Sequence, residues 1–362
     1  MLEKRNKITS KQLMTYIVSS QIGIGVLSMP ARLCEIVGHD GWITVLIAGV
    51  ISTILGVIMV KLLERYENKS IYEINKSLYG KYIGTFINML IVLFLCALAS
   101  FNIRLFVTTI SIIVLPKTPP VILTVFLLLP GLLLAWYGLK VICRFNSYVF
   151  FATVIIYLFY ILMLKNVRIT FLMPVGEADI PSLIKSTLVL TLSYIGLIFP
   201  AIFYPQVTDK KNVMKNIIYA NIYSTIFFLI TVSIVTGFFG SSMLKYLVFP
   251  LLNLARSYRA PVIERVDLLF ITLWTPCLGT SMSTFYFSAY YSVNILLKIK
   301  KNTLSLIILT TMFIILSRII KDFAEIFIYI KVLSIIAIVF TVFLFIVNYF
   351  ASFINKKGVI KK

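Results

Sequence analysis

Two glycine–proline motifs stand inside long apolar stretches of this chain. The first is GIGVLSMP at residues 23–30, and the second is SYIGLIFP at residues 193–200. Glycine frees the backbone and proline removes a hydrogen-bond donor, so each motif predicts an interrupted helix, with Pro30 and Pro200 as its breaking residues. An opened helix exposes N–H groups that favour a carboxylate and carbonyl groups that suit an ammonium ion or another cation. The pair therefore predicts a site for a small molecule that carries both charges, such as an amino acid.

A third chemical signal is Arg104, which lies inside another apolar stretch, in the segment FNIR at residues 101–104. A charge in an apolar span is expensive and is a functional hypothesis by default. The alternative is a structural or gating role, in which the long side chain reaches the span end or pairs with a carbonyl group. Both interpretations stay open at this point.

The composition defines the class of protein that must position these residues. Of 362 residues, 60% are apolar and 13% are charged, and the mean hydropathy is +1.00. Soluble domains have about 25% charged residues, so a soluble enzyme, a disordered tail and a disulfide scaffold are excluded. An integral membrane protein is expected, with membrane lipid around it. The net charge of +21 does not indicate nucleic-acid binding, because the basic residues lie between apolar runs.

Ten apolar segments can be counted, each long enough for a membrane-spanning helix. They predict an all-α integral membrane protein with one transmembrane domain over residues 1–362. With four scattered cysteines and one histidine, no metal site and no cofactor are expected, and His39 is expected at the surface. The spans are numbered 1 to 10 in chain order: 13–37, 42–63, 84–114, 120–138, 145–164, 183–204, 217–240, 266–297, 303–320 and 328–351.

The distribution of lysine and arginine predicts the orientation. With both termini in the cytoplasm, basic residues favour the inner side by roughly two to one, as the positive-inside rule requires. Arg32 falls on the outer side in this count. The basic loop 241–265 is the exception, and its residues 242–258 predict an amphipathic or partly buried helix that caps the outer face.

The two motifs lie about half a chain length apart, and each falls in the first span of a five-span half. Five is odd, so the halves are inverted relative to each other in the membrane. Paired interrupted helices at corresponding positions indicate a transporter fold of the leucine-transporter type, with a binding site near the bilayer midplane. We therefore predict a 5+5 inverted repeat over about 12–165 and 183–351, with helices 1 and 6 broken.

Further short motifs follow in order along the chain. They are TSKQ at 9–12, the glycine–proline motif of span 1, DGW at 40–42, LPKTP at 115–119, YGLKVICR at 137–144, FLMP at 171–174, FP at 249–250 and ERVD at 264–267. Together they resemble the B subunit of spore germinant receptors, within the amino acid–polyamine–organocation transporter superfamily. The resemblance implies a germinant-sensing subunit in the spore inner membrane. It also implies two partners, an A-type membrane subunit and a C-type lipoprotein subunit.

The resemblance to this fold implies that spans 1, 3, 6, 8 and 10 line the pocket. A sodium ion near Gly25, Thr280 and Ser281 is a further possibility of the fold, although serine and threonine hydroxyls more often bond within their own helix. The candidate ligand-binding residues are Gly23, Gly25 and Ser28 in span 1, Phe101 in span 3, Tyr194, Gly196 and Phe199 in span 6, and Ser281 and Thr284 in span 8.

The absence of certain residues also limits the function. All 13 acidic residues fall in predicted loops, tails or span edges, so the carboxylate relay of a proton-coupled carrier is missing. No nucleotide-binding loop and no catalytic Ser/His or Cys/His set is present, which excludes the common enzyme classes. A germinant sensor is the expected function. The alternatives are an amino-acid or amine permease and a structural subunit of an ion-conducting receptor.

Overall fold

The chain folds into a helical bundle. The computed structural model describes residues 7–23, 25–257, 266–299, 303–319 and 323–355. Fourteen α-helices lie in this part of the chain: α1 Ser10–Gln21, α2 Gly25–Val37, α3 Gly41–Arg65, α4 Ile71–Ile113, α5 Pro120–Tyr137, α6 Leu139–Met163, α7 Ile180–Tyr194, α8 Phe199–Phe203, α9 Val213–Leu244, α10 Pro250–Ser257, α11 Val266–Leu297, α12 Thr303–Ser317, α13 Phe323–Thr341 and α14 Asn348–Ile354.

Each predicted span coincides with helix. Spans 1 and 6 are divided, into α1 with α2 and into α7 with α8, and span 10 is formed by α13, a π-helix at Val342–Val347 and α14. Among the described residues, eight helical stretches are long and apolar enough to cross a membrane. Eight differs from ten because Gly25–Arg65 joins α2 and α3 in one stretch, and because Thr303–Ser317 has 15 residues, fewer than the roughly 20 of a typical span.

Helix α4 begins earlier than predicted. Its first turn is fixed by a capping box in which the Glu73 carboxylate accepts from the Ser70 N–H at 2.8 Å and from the Ser70 hydroxyl group at 2.9 Å. At Gly80 the backbone has φ +81°, a conformation that residues other than glycine rarely adopt, and the helix axis changes direction there. The segment before Gly80 is therefore a short helix leading into the span, which the sequence pattern alone assigns to a loop.

The predicted helix in the 241–265 loop is present as α10. It packs against α2, α9 and α11 and buries Leu251, Leu252 and Leu254. This confirms a partly buried helix at that end of the bundle, within residues 250–257. The helix starts later than predicted, because residues 242–244 still belong to α9 and residues 245–249 form turns, and residue 258 lies outside the described residues.

The prediction that His39 lies at the surface is wrong. Its side chain is about nine-tenths buried, and Nε2 contacts the carbonyl oxygen of Pro174 and lies 3.6 Å from Glu177. Beside it, the buried carboxylate of Asp40 accepts hydrogen bonds from the backbone N–H groups of Gly176 and Ala178, at 3.0 and 2.8 Å. These contacts join the connection between the two halves of the chain to the turn before α3.

Candidate functional site

The first interruption lies between α1 and α2. Ile22 has φ −87° and ψ 82°, and its N–H closes the last regular bond of α1 to the Val18 carbonyl at 2.8 Å. The Gly23 N–H reaches back only to the Gln21 carbonyl at 3.1 Å, so the helical ladder stops there. The structure differs from the prediction at Pro30, which continues inside α2 rather than breaking it. Its fixed φ near −65° is compatible with a helix, so the opening falls at the glycines.

At the second interruption the helix becomes tighter instead of losing its hydrogen bonds. After Tyr194 the chain forms a 3-10 helix over Ile195–Ile198, and α8 starts at Phe199. Pro200 lies in the first turn of α8, where its missing N–H costs nothing, so it starts a helix instead of ending one. Helix 6 is therefore interrupted as predicted, but its backbone remains largely hydrogen-bonded, in contrast to helix 1.

The two interruptions lie against each other. A Cβ atom added at Gly196 would overlap Ser20 Oγ and would lie 3.2 Å from the Ile17 carbonyl oxygen. On the other side of the first break, a Cβ at Gly25 would lie 3.5 Å from Ser193 Oγ. Glycine at these positions allows the broken segments to approach at van der Waals distance, which a side chain at Gly196 would prevent.

A cavity of about 60 Å³ lies beside this contact. Helix 1 lines it from both sides of the break, and α4, α7 with the following 3-10 turn, α11 and α13 complete the wall, so the five expected spans all contribute. Its polar lining residues are Ser20, Gln21, Arg32, Asn102, Ser193 and Ser281, next to Gly23 and Gly25. The apolar lining residues are Met29, Leu98, Phe101, Leu105, Val189, Leu192, Ile195, Phe285 and Ile330.

The predicted site residues divide into two groups. Gly23, Gly25, Phe101 and Ser281 line the cavity. Ser28, Tyr194, Gly196, Phe199 and Thr284 do not line it, and a ligand role for them stays a prediction. Tyr194 instead donates to or accepts from Thr225 at 2.9 Å, and Gly196 serves as the contact point between the breaks.

Phe199 belongs to a cluster of rings on the α1 side of the break. Its ring centroid lies 5.3 Å from that of Tyr16 and 5.3 Å from that of Phe285, both in edge-to-face geometry. Phe203 adds a third contact to Tyr16 at 5.5 Å. The Tyr16 hydroxyl donates to the Thr284 carbonyl oxygen at 2.9 Å and lies 2.7 Å from Ser288 Oγ. This aromatic plug fills the core between α1, α8 and α11.

The hydroxyl groups of α11 bond mainly within their own helix. Thr280 donates to the Cys277 carbonyl at 2.9 Å, and Thr284 donates to the Thr280 carbonyl at 2.7 Å. Ser281 faces the break, because a Cβ at Gly23 would lie 2.5 Å from Ser281 Oγ. Of the three residues in the sodium prediction, Gly25 and Ser281 line the cavity and Thr280 does not; the sodium site itself stays a prediction.

Arg104 lies in α4, half-buried and outside the residues that line the cavity. The guanidinium at the cavity belongs to Arg32 of α2, which sequence analysis assigned to the outer side as a topology signal. Gln21, Arg32, Asn102 and Phe285 were also missed as lining residues. Gly25 and Arg32 are seven residues apart within α2, a helical spacing that could have indicated a shared face.

The side-chain amide of Gln21 has a defined orientation. Asn221 donates from Nδ2 to the Gly49 carbonyl at 3.0 Å and to Thr53 Oγ1 at 2.7 Å, so its Oδ1 must face Gln21. Gln21 Nε2 donates to that oxygen at 3.4 Å. Gln21 Oε1 is then left buried, with no hydrogen-bond partner among the described residues.

A larger cavity, of about 220 Å³, opens on the other face of helix 6. It is lined by α3, by α7 with the following 3-10 turn, and by α13 with the π-helix. Among the described residues its lining is aliphatic and aromatic apart from hydroxyl groups, one of which belongs to Tyr194, and it includes no charged residue and no amide. The smaller cavity is the better candidate site, because it holds the guanidinium and amide groups that recognise polar ligands.

These features define a class: a helical membrane protein with the inverted-repeat transporter fold, in which helices 1 and 6 are interrupted beside a central cavity. A comparison of structures agrees. The nucleobase-cation-symport-1 family transporter MHP1, solved in a closed conformation with bromovinylhydantoin bound, superimposes with a TM-score of 0.62 over 98% of this chain and 84% of that chain. At 12% sequence identity, this likeness concerns the fold alone.

Residues 7–326 match the spore permease family, described as "Spore germination protein". The chain therefore belongs to this family. Spore germination protein YndE of Bacillus subtilis (strain 168) is 31% identical over 79% of this chain and 80% of its own length. Spore germination protein B2 of the same organism is 28% identical over 99% of this chain and 98% of its own length. Family membership confirms the resemblance seen in the short motifs.

Proposed function

We propose that this chain is the germinant-sensing subunit of a spore germination receptor and binds a small nutrient in the cavity beside the interruptions of helices 1 and 6. The observation that carries the proposal is the cavity itself. It is lined by both halves of helix 1 and by helix 6, so an occupant contacts the interrupted segments directly. The relatives of this chain are spore germination proteins, which supports a role in germination.

Sensing requires that the ligand favour one conformation over another. The interrupted helix 1 supplies a hinge, because its regular ladder of backbone hydrogen bonds stops at Gly23. The 3-10 turn of helix 6 packs against the same hinge. A ligand that contacts both segments can bias their relative position, which is the signal that partner subunits would detect.

The partners and location follow from the family resemblance. An A-type membrane subunit and a C-type lipoprotein subunit would assemble with this chain in the spore inner membrane, with both termini on the core side. The chain itself would provide ligand recognition within that receptor.

A filling substitution tests the proposal. Gly25→Val places methyl groups in the cavity, where the Cβ position is free of clashes. Gly279→Ala in α11 is the matched control, because nothing lies within 4 Å of its Cβ position. We expect Gly25→Val to abolish both ligand-induced thermal stabilisation of the purified protein and nutrient-dependent germination at normal protein levels, and Gly279→Ala to preserve both.

The screen uses a panel of amino acids, sugars and nucleosides on the purified chain. If no compound raises the melting temperature, the chain does not bind germinant alone and the proposal is wrong, which would favour the structural-subunit alternative. Uptake of labelled amino acids into vesicles that contain only this chain would favour the permease. Binding without uptake supports the sensor.

A further inference from the structure

We infer that Arg32 anchors the carboxylate of the ligand, and that the cavity selects small α-amino acids with apolar side chains over amines, sugars and nucleosides. The inference rests on the proposed function and names the chemistry of that site. It goes beyond the interrupted backbone, because it assigns the recognition of one ligand group to a side chain of α2.

Arg32 is a charged residue at the cavity that has no partner among the residues the structure describes. It is half-buried, lines the cavity, and makes no hydrogen bond and no ion pair within 4 Å among the described residues. Glu35 influences it electrostatically, but only from a longer distance. A guanidinium remains charged at all ordinary pH values, and leaving it unpaired in a poorly solvated site is costly. An occupant with a carboxylate supplies the missing partner in the bidentate geometry that arginine favours.

Helix geometry directs this side chain toward the break. Side chains on an α-helix lean toward its N-terminus, and α2 begins at Gly25, two turns before Arg32. The rise between the two residues is about 10 Å, much of which an extended arginine can span. This accounts for Arg32, Gly25 and Gln21 lining one small cavity although they flank the interruption.

Gln21 supplies a hydrogen-bond acceptor, in contrast to the positively charged donor group of Arg32. Its Oε1 is an acceptor without a donor, and the side chain is 2% exposed. Because the Asn221 network fixes the amide, this oxygen cannot exchange places with Nε2 without breaking the bond to Asn221. This oxygen is closed to water in the present conformation, so a ligand ammonium group would reach it through a small shift of the neighbouring lining residues. Guanidinium and unsatisfied acceptor together match the two ends of a zwitterion.

The remaining lining sets the size and polarity of the ligand. The volume of about 60 Å³ has room for roughly four to six water molecules, which corresponds to a small amino acid. The wall around it is formed by leucine, valine, isoleucine and phenylalanine side chains, which favour an apolar side chain. No acidic residue is among the described lining residues, so a cationic amine would meet Arg32 without a counter-charge.

Decarboxylated analogues test the assignment on the unmodified protein. The purified full chain in lipid nanodiscs is titrated with L-alanine and L-valine, with ethylamine and isobutylamine as their decarboxylated counterparts, and with L-lactate, which keeps the carboxylate but lacks the ammonium group. We expect an amino acid to raise the melting temperature, the amines to leave it unchanged, and lactate to bind more weakly than alanine.

Variants then locate the anchor. Arg32→Gln should weaken amino-acid binding by about 10- to 100-fold, because a charge-assisted hydrogen bond is lost. The affinity of Arg32→Lys should lie between those of the wild type and Arg32→Gln, since lysine keeps the charge but not the bidentate geometry. Lys117→Gln, which removes one positive charge from an exposed loop residue, should bind as the wild type.

Equal stabilisation by ethylamine and L-alanine, or unchanged alanine affinity in Arg32→Gln, would overturn the assignment. A sugar, nucleoside or amine whose binding is lost in Gly25→Val but kept in Arg32→Gln would also overturn it, while leaving the proposed function intact. If no probe of any class stabilises the protein, the proposed function fails and this inference fails with it.

Discussion

The carboxylate of Asp209 holds the first turn of α1 through Ser10. Asp209 Oδ1 accepts from the Ser10 N–H at 2.6 Å, and Oδ2 accepts from the Ser10 hydroxyl group. The adjacent Ile8 donates from its N–H to the Gln206 carbonyl at 3.0 Å and accepts from the Thr208 N–H at 3.0 Å. The start of helix 1 is thus fastened to the chain that follows helix 6, on the opposite side of the aromatic plug from the cavity.

The two hydrogen bonds between Asp209 and Ser10 form a latch, and removing this latch should free the start of helix 1. Asp209→Ala is expected to cost about 1–3 kcal/mol of local stability, because a charged acceptor of two hydrogen bonds is lost. Amide hydrogen exchange of residues 8–13 should accelerate, while exchange in α9 and α11 stays unchanged. Glu64→Gln, at an exposed residue, is the control. Unchanged exchange in Asp209→Ala would show that the latch does not hold this segment.

The latch should also depend on pH. Partial burial raises the pKa of Asp209, but the hydrogen bonds from Ser10 outweigh this effect and hold the pKa below its ordinary value of 3.8. A lowered pKa in the folded state means that the carboxylate stabilises the latch above the ordinary aspartate pKa, and that this stability is lost as the pH falls through the folded value. Exchange at residues 8–13 should therefore be constant from pH 7 to 5, after correction for intrinsic rates, and should rise only below about pH 4. In Asp209→Ala, exchange at residues 8–13 corrected for intrinsic rates should show no such rise below about pH 4.

Much of the fold could be predicted because the sequence carries it locally. The apolar runs mark the spans, and the two glycine–proline motifs mark the interrupted helices. The detailed form of the second break was not predictable, because Pro200 is compatible with both a helix end and a helix start, and the packing against Ser20 decides between them.

The candidate site was only partly predictable. Gly23, Gly25, Phe101 and Ser281 line the cavity, but Arg32 lies near a span end, where a lone arginine also fits a topology signal. Its position in the wall depends on where α2 begins, which only the three-dimensional break defines. Gln21 was missed because its significance depends on Asn221, a residue 200 positions away in the sequence.

The plug should respond to mutation differently from the lipid-facing surface. Phe199 is fully buried between Tyr16 and Phe285, so Phe199→Ala should lower the free energy of unfolding by about 3–5 kcal/mol through the cavity it leaves. Phe199→Leu should cost less. Phe126→Ala, where the side chain is 70% exposed on α5, should have little effect. Thermal unfolding in nanodiscs measures all three, and equal losses in Phe199→Ala and Phe126→Ala would contradict the plug.

The contact between the breaks can be tested with a double-mutant cycle. Gly196→Ala places a methyl group on Ser20 Oγ and should destabilise the protein by about 1–3 kcal/mol. Ser20→Ala removes that oxygen together with its bond to the Ile17 carbonyl at 2.6 Å, and should cost less. The double variant should be more stable than the sum of the single losses predicts. Strict additivity would show that the two positions do not touch.

A buried amide network ties the entry of α4 to α14. Asn75 donates from Nδ2 to Asn88 Oδ1 at 2.8 Å and accepts at Oδ1 from Asn348 Nδ2 at 2.9 Å. Asn75→Leu leaves both partners buried without this bond, so a loss of at least about 2 kcal/mol is expected. Asn294→Ala is the control, because among the described residues the Asn294 amide donates only to the Tyr290 carbonyl within its own helix. A melting temperature of Asn75→Leu equal to that of Asn294→Ala would exclude a stabilising role for the network.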